Sequence, residues 1–178
     1  MDFHISIIVR PLISKLIALQ SFFCARPRID IDLINNQYGR KSLCVSHRQD
    51  CIEPISTHDV IYDFEFYWKY RIKIKNNSSK TAFNLKIERV FEGGQDYLQK
   101  IDDLVSLKQG ERIELDYILR HIVSKKGIQT QQYHFPEHIP QIEILISYTN
   151  ESRKKFYTRF IATKDSKTNE HLLKCPKQ

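Results

Sequence analysis

The chain has 178 residues, of which 41% are hydrophobic and 11% aromatic, with only five glycines and six prolines. That length suits one folded domain with an appendage, and the composition excludes collagen-like, linker-like and largely disordered chains. Lys and Arg outnumber Asp and Glu by 28 to 21, a net charge of +7, which permits contact with phosphates or anionic lipid without demanding either.

Residues 1–26 come first. With Pro11 in the first turn, Leu12, Leu16, Leu19 and Phe23 fall on one stripe, and Ser14, Ala18 and Ser21 lie opposite. This spacing predicts an amphipathic helix that ends before Pro27. Arg10, Pro11 and Lys15 keep the apolar run short of the roughly 18 residues a bilayer crossing needs. Asp2 and His4 stand where a secretory signal would carry positive charge. The four cysteines, Cys24, Cys44, Cys51 and Cys175, form no CxxC pair. The expected setting is therefore reduced and cytoplasmic, or peripheral at the inner membrane.

After Pro27 the period changes from helical to alternating. Ile29, Ile31 and Leu33 predict a first strand, Asn35 to Gly39 a turn, and Lys41 to Ser46 a second strand, with residues 47–60 as connection. The clearest strand is Phe66 to Lys75, where Phe66, Trp68, Tyr70, Ile72 and Ile74 alternate with Tyr67, Lys69, Arg71, Lys73 and Lys75. A turn at Asn76 to Ser79 leads into a strand from Ala82 to Val90. Tyr97 to Leu107 reads as a short helical or irregular crossing that lays Leu98, Ile101 and Leu104 on the core. Lys108, Gln109 and Gly110 turn the chain into a strand carrying Ile113, Leu115, Tyr117 and Leu119. Pro140 opens another with Ile142, Ile144, Ile146 and Tyr148 on one side, and Lys155 to Ala162 returns. Some seven strands joined by short turns, with a tryptophan in the best of them, predict an all-β antiparallel sandwich over residues 27–163, followed by a polar tail at 164–178.

Three stretches, KIKNNSSKTAFNLKIE, SLKQGERIELDY and IEILISYTNESRKKFYTRF, resemble immunoglobulin-like modules of the bacterial cell-adhesion-related type over roughly residues 64–163. The matching positions are Asn76, Asn77, Ser78, Ala82, Leu107, Gly110 and Glu111. They specify turns, so the resemblance implies an immunoglobulin-like fold and a ligand-holding or spacer role.

Catalytic patterns are sparse. No Ser sits in a nucleophile elbow, no glycine-rich phosphate loop occurs, and Asp102 and Asp103 are adjacent and so point apart in a helix. Cys44, His47, Cys51 and His58 carry zinc-type donors at loose spacing, and Cys44 serves as readily as a small apolar strand residue. Pro136 between His134 and His138 prevents the helix that would align the two imidazoles. No metal, cofactor or catalytic residue is expected. The leading expectation is a non-enzymatic binding or scaffold module that docks through Leu12, Leu16, Leu19 and Phe23 on a protein partner, a second copy or a membrane surface. The alternative is a nucleic-acid-binding face made of Tyr67, Lys69, Arg71, Lys73 and Lys75, unless Glu88, Glu114 or Asp116 neutralise that row.

Overall fold

The computed structural model describes residues 26–45, 61–91, 95–101, 105–126, 136 and 139–176. Among the described residues eight strands follow in chain order: β1 (Ile29–Val45), β2 (Ile61–Asn76), β3 (Phe83–Phe91), β4 (Gln95–Leu98), β5 (Arg112–Lys126), β6 (Ile142–Thr149), β7 (Lys155–Ala162) and β8 (Lys167–Leu172). They form two antiparallel four-stranded sheets, ordered β1-β2-β5-β4 and β3-β6-β7-β8. The fold is all-β, and the inner faces of the two sheets share one core.

Alternation in β2 builds half of that core. Phe66, Trp68, Tyr70, Ile72 and Ile74 are all buried, while Lys69, Arg71 and Lys75 on the opposite side are exposed. Facing them, Ile142, Ile144, Ile146 and Tyr148 of β6 are buried, as are Phe156 and Phe160 of β7. Aromatic rings run along β2 and across to its neighbours. Tyr38 of β1 lies 5.6 Å from Trp68 and 6.3 Å from Phe66 between ring centroids, and Tyr70 stacks on Tyr117 of β5 at 5.8 Å. Rings of this size bury large apolar areas, and burying one is worth about 1.5–3 kcal/mol.

One pole is organised by Asn76, which is fully buried. Its Nδ2 donates to the carbonyls of Lys80 (2.7 Å) and Leu107 (2.8 Å), and its Oδ1 accepts from the amide (3.0 Å) and hydroxyl (2.7 Å) of Ser78. Its amide donates to the Glu111 carbonyl, its carbonyl accepts from the Gly110 amide, and Ala82 and Leu107 bridge each other beside it. Gly110 takes a left-handed φ of 76°, which any side chain would oppose.

Several expectations need correction. The turn expected at Asn35 to Gly39 does not reverse the chain. β1 continues through it with a register shift between Asn35 and Gln37, because β2 offers an unbroken partner and the extra residue is absorbed as a bulge. Tyr97 and Leu98, at the start of the expected crossing, belong instead to β4, which pairs on β5, and Leu98 and Ile101 pack on the core. The stretch expected as a polar tail holds β8. Its alternate side chains turn toward the edge of β1, so the row lacks the apolar residues that mark a strand. Asn169 donates to the Ile31 carbonyl and accepts its amide, both at 2.9 Å, and Lys167 donates to the Leu33 carbonyl (2.7 Å) and to Asp32 (2.9 Å). Thr158 of β7 donates to the Ile29 carbonyl at 2.9 Å. Polar side chains thus do for this edge what a neighbouring strand would do, and they close one flank of the two sheets. The segment read as an N-terminal helix lies outside the described residues, and no described helix is long and apolar enough to cross a membrane.

Candidate binding face

The outer face of the first sheet carries the cationic row. In register, Lys75 stands between Asp30 and Arg112, Lys73 between Asp32 and Glu114, Arg71 between Ile34 and Asp116, Lys69 between Gln37 and Ile118, and Tyr67 between Gly39 and Arg120. The structure therefore brings all five sequence-predicted residues together on one side, interleaved with carboxylates. Arg71 reaches Glu114 (3.5 Å) and Asp116 (4.0 Å), Lys73 reaches Glu114 (3.9 Å), and Arg112 reaches the same carboxylate at 3.6 Å. These are exposed pairs, each worth about 0–1 kcal/mol and screened by salt. Asp30 and Asp32 are drawn off to His171 and Lys167 of β8. Among the described residues Lys69 and Lys75 have no carboxylate partner, and the Lys69 ammonium lies 5.7 Å from the centre of the Tyr67 ring.

Tyr67 has an unusual seat. The tip of its ring occupies the space above Gly39, where a Cβ would meet the ring at 2.1 Å. The ring is therefore laid across β1, a cross-strand aromatic–glycine pairing. Beside it, Tyr97 of β4 stands opposite Ile118 and is 57% exposed, and Ile122 is 53% exposed. The middle of this face is aromatic and aliphatic, and its upper end is charged.

The outer face of the second sheet is a closed electrostatic network. Glu143, nearly buried, accepts from Arg89 and Arg159, both at 2.7 Å. Those two arginines stand directly on either side of Leu145, which their aliphatic stems flank. Glu88 accepts from Ser147 (2.6 Å) and Lys155 (2.8 Å). The Arg159 contact holds the Glu143 carboxyl below its ordinary range, and the Lys155 contact does the same for Glu88.

A carboxylate–imidazole–hydroxyl chain also occurs. Asp30 lies 3.1 Å from His171 Nε2, and His171 Nδ1 lies 3.3 Å from the Thr158 hydroxyl. Thr158 is fully buried and already donates to a backbone carbonyl, so its oxygen cannot meet a substrate. Burial pushes the His171 imidazole below its ordinary value, against the pull of Asp30. A groove of about 690 Å³ runs between β3 and the segment after β4, lined by Leu85, Ile87, Val90, Leu98 and Ile101. A shallower depression of about 380 Å³ gathers Lys73, Lys75, Arg112 and Lys167 with Asp30 and Asp32.

The remaining sequence expectations distribute as follows. Leu12, Leu16, Leu19 and Phe23, and also His47, Cys51, His58, His134, His138, Asp102 and Asp103, lie outside the described residues. Cys44, expected as a small apolar strand residue, lies in β1 and is exposed, with its sulfur 3.9 Å from Asp63 Oδ2. Among the described residues no three His, Cys, Asp or Glu side chains are placed to hold a metal. Gly39 and Lys167 escaped the sequence reading because each was assigned to a turn or tail, and only the register reveals what they touch. No protein family, curated protein or solved structure matches this chain.

Proposed function

We propose that this chain is a non-enzymatic binding module built on an immunoglobulin-like sandwich, which docks on a protein partner through the apolar stripe of its N-terminal stretch. The observation that carries the reading is the strand order. β1-β2-β5-β4 opposite β3-β6-β7 is the arrangement of strands A, B, E and D opposite C, F and G in immunoglobulin constant-type domains, with β8 as an addition to the second sheet. The residues that resemble adhesion-related modules support it further, because Asn76, Ala82, Leu107, Gly110 and Glu111 meet at one pole through hydrogen bonds. The sealed Thr158 hydroxyl weighs against hydrolytic chemistry in the one triad-like arrangement among the described residues.

Fold alone does not name a ligand, so the docking element rests on sequence. Leu12, Leu16, Leu19 and Phe23 repeat at one-turn spacing, as anchors laid into a groove do. The opposite side holds Ser14, Ala18 and Ser21 with few cations nearby, whereas a surface-seeking membrane helix carries a strongly basic polar side. A protein groove is therefore favoured over lipid, in a cytoplasmic setting.

The test uses the full-length chain carrying Leu16→Asp and Phe23→Asp. Losing two apolar anchors costs about 3 kcal/mol or more, a hundredfold in affinity. Thermal unfolding of the sandwich is expected to stay unchanged while co-purifying protein from the native host is lost. Unchanged recovery, or flotation of the native chain with lipid vesicles that the variant abolishes, rejects protein docking by this stripe.

A further inference from the structure

The outer face of the first sheet carries the cationic row. Three observations converge there. Tyr67 is laid across Gly39, so its ring is presented as a platform along the sheet. Lys69 and Lys75, on the same side of the same strand, have no carboxylate partner among the described residues, while Arg71 and Lys73 between them share Glu114. Tyr97, on the edge strand beside Ile118, is the most exposed large apolar side chain among the described residues. Aromatic rings held flat on a sheet accept planar rings of any base, and ammonium groups not neutralised by a carboxylate accept phosphates.

We propose that this face binds single-stranded nucleic acid, with one base stacked on Tyr67, a neighbouring phosphate held by Lys69 and a phosphate several nucleotides further along held by Lys75. Gly39 is the positioning residue, because any side chain there would drive the Tyr67 ring off β1. The two compensated cations, Arg71 and Lys73, stay with their carboxylates and add little. The six-residue separation of these two lysines spans about 20 Å of strand, enough for a short run of nucleotides. Double-stranded nucleic acid is disfavoured, since its bases offer no open ring to Tyr67.

The charge pattern sets a number. Each phosphate neutralised on a single strand contributes a slope of about −0.7 to the logarithm of affinity against the logarithm of salt, so two contacts give about −1.4 and four give about −2.8. The experiment titrates the full-length chain into a fluorescein-labelled oligo-dT of about 12 nucleotides and the matching oligo-U, by anisotropy, between about 50 and 300 mM salt. Native protein is expected to bind with a slope near −1.4. Tyr67→Ala should weaken binding about tenfold to a hundredfold, while Tyr67→Phe, which keeps the ring, should not. Gly39→Val should weaken it as much as Tyr67→Ala although it removes no aromatic group. The double variant Lys69→Gln and Lys75→Gln should flatten the slope. Circular dichroism melts identify any variant that fails to fold, and Tyr67→Phe against native protein then decides the stacking claim alone. Absence of binding at the lowest salt, binding indifferent to Tyr67→Ala, loss of binding in Tyr67→Phe, or a slope near −2.8 overturns the assignment.

Discussion

Replacing Asn76 by Ala should cost this fold more than any other single polar truncation at its poles, and the size of the loss can be worked from its bonds. The side chain donates twice, to the Lys80 and Leu107 carbonyls, and accepts twice from Ser78. Each carbonyl keeps a second donor, Ser78 Oγ for Lys80 and the Ala82 amide for Leu107, so neither is orphaned when the amide goes. The Ser78 hydroxyl has one proton for two acceptors, which leaves about three independent bonds at about 1 kcal/mol net each. Asn76→Ala should therefore lose about 3 kcal/mol, and the melting temperature should fall by about 6–12 °C for a chain of this size. Asn76→Asp is nearly isosteric yet should be worse at pH 7, about 4 kcal/mol or more, because it aims a buried carboxylate oxygen at two carbonyl oxygens. Its acid form can donate to one of them, so its folded pKa is raised, and stability returns as pH falls and is lost as pH rises through that value. Urea unfolding of the three proteins at pH 5 and pH 8 measures this. An Asp variant no less stable than the Ala variant at neutral pH, or an Ala variant within about 0.5 kcal/mol of native, refutes the donor roles assigned to Asn76.

Four further outcomes are expected. The hydroxyls of Tyr70 and Tyr117 are buried without a hydrogen-bond partner among the described residues, and burial holds the Tyr70 phenol well above its ordinary range. Tyr70→Phe and Tyr117→Phe should therefore each raise stability by up to about 1 kcal/mol in chemical unfolding, and a loss in both would contradict the packing described. Ending the chain after Thr163 removes β8 and exposes the edge of β1, which should lower the melting temperature by well over 10 °C, whereas removing a mere tail would leave it in place. Asn169→Ala alone should cost about 1–3 kcal/mol, since it leaves the Ile31 amide and carbonyl without their partner. Stability should also fall with acidification in two stages. His171 and His121 titrate below their ordinary 6.5 in the fold, so the unfolded chain takes the proton first and stability drops as pH falls below about 6.5. Glu143 and Glu88, held below their ordinary 4.5 by Arg159 and Lys155, add a second loss below about pH 4.5. Melting curves from pH 8 to pH 3 check both, and His171→Gln should diminish the first stage.

The strands that could be read from sequence are those whose two faces differ in chemistry. β2 was legible because one side is aromatic and aliphatic and the other basic, and β7 because Phe156, Phe160 and Ala162 alternate with polar residues. β8 was not, because Lys167, Asn169 and His171 satisfy the backbone and side chains of another strand's edge instead of filling the core, and periodicity detects only apolar burial. The Asn35 to Gly39 segment carries turn residues, yet a bulge needs the same conformational freedom and tells nothing of chain reversal. The basic row was legible as a row. Neutralisation by Glu114 or Asp116 was part of that reading, but which cation each meets follows only from the β2–β5 register, and Glu88, named with them, belongs to the other sheet. The seat of Tyr67 over Gly39 depends on the β1–β2 register in the same way.

Site-specific cross-linking in the native host tests the binding role most directly. A photoreactive amino acid placed at Leu16, and in a separate protein at Ile118 as a control on the sheet face, reports what each surface touches. A discrete protein adduct from position 16 is the expected result. Position 16 yielding only lipid adducts, or no adduct while position 118 captures a protein, would contradict docking through the N-terminal stripe.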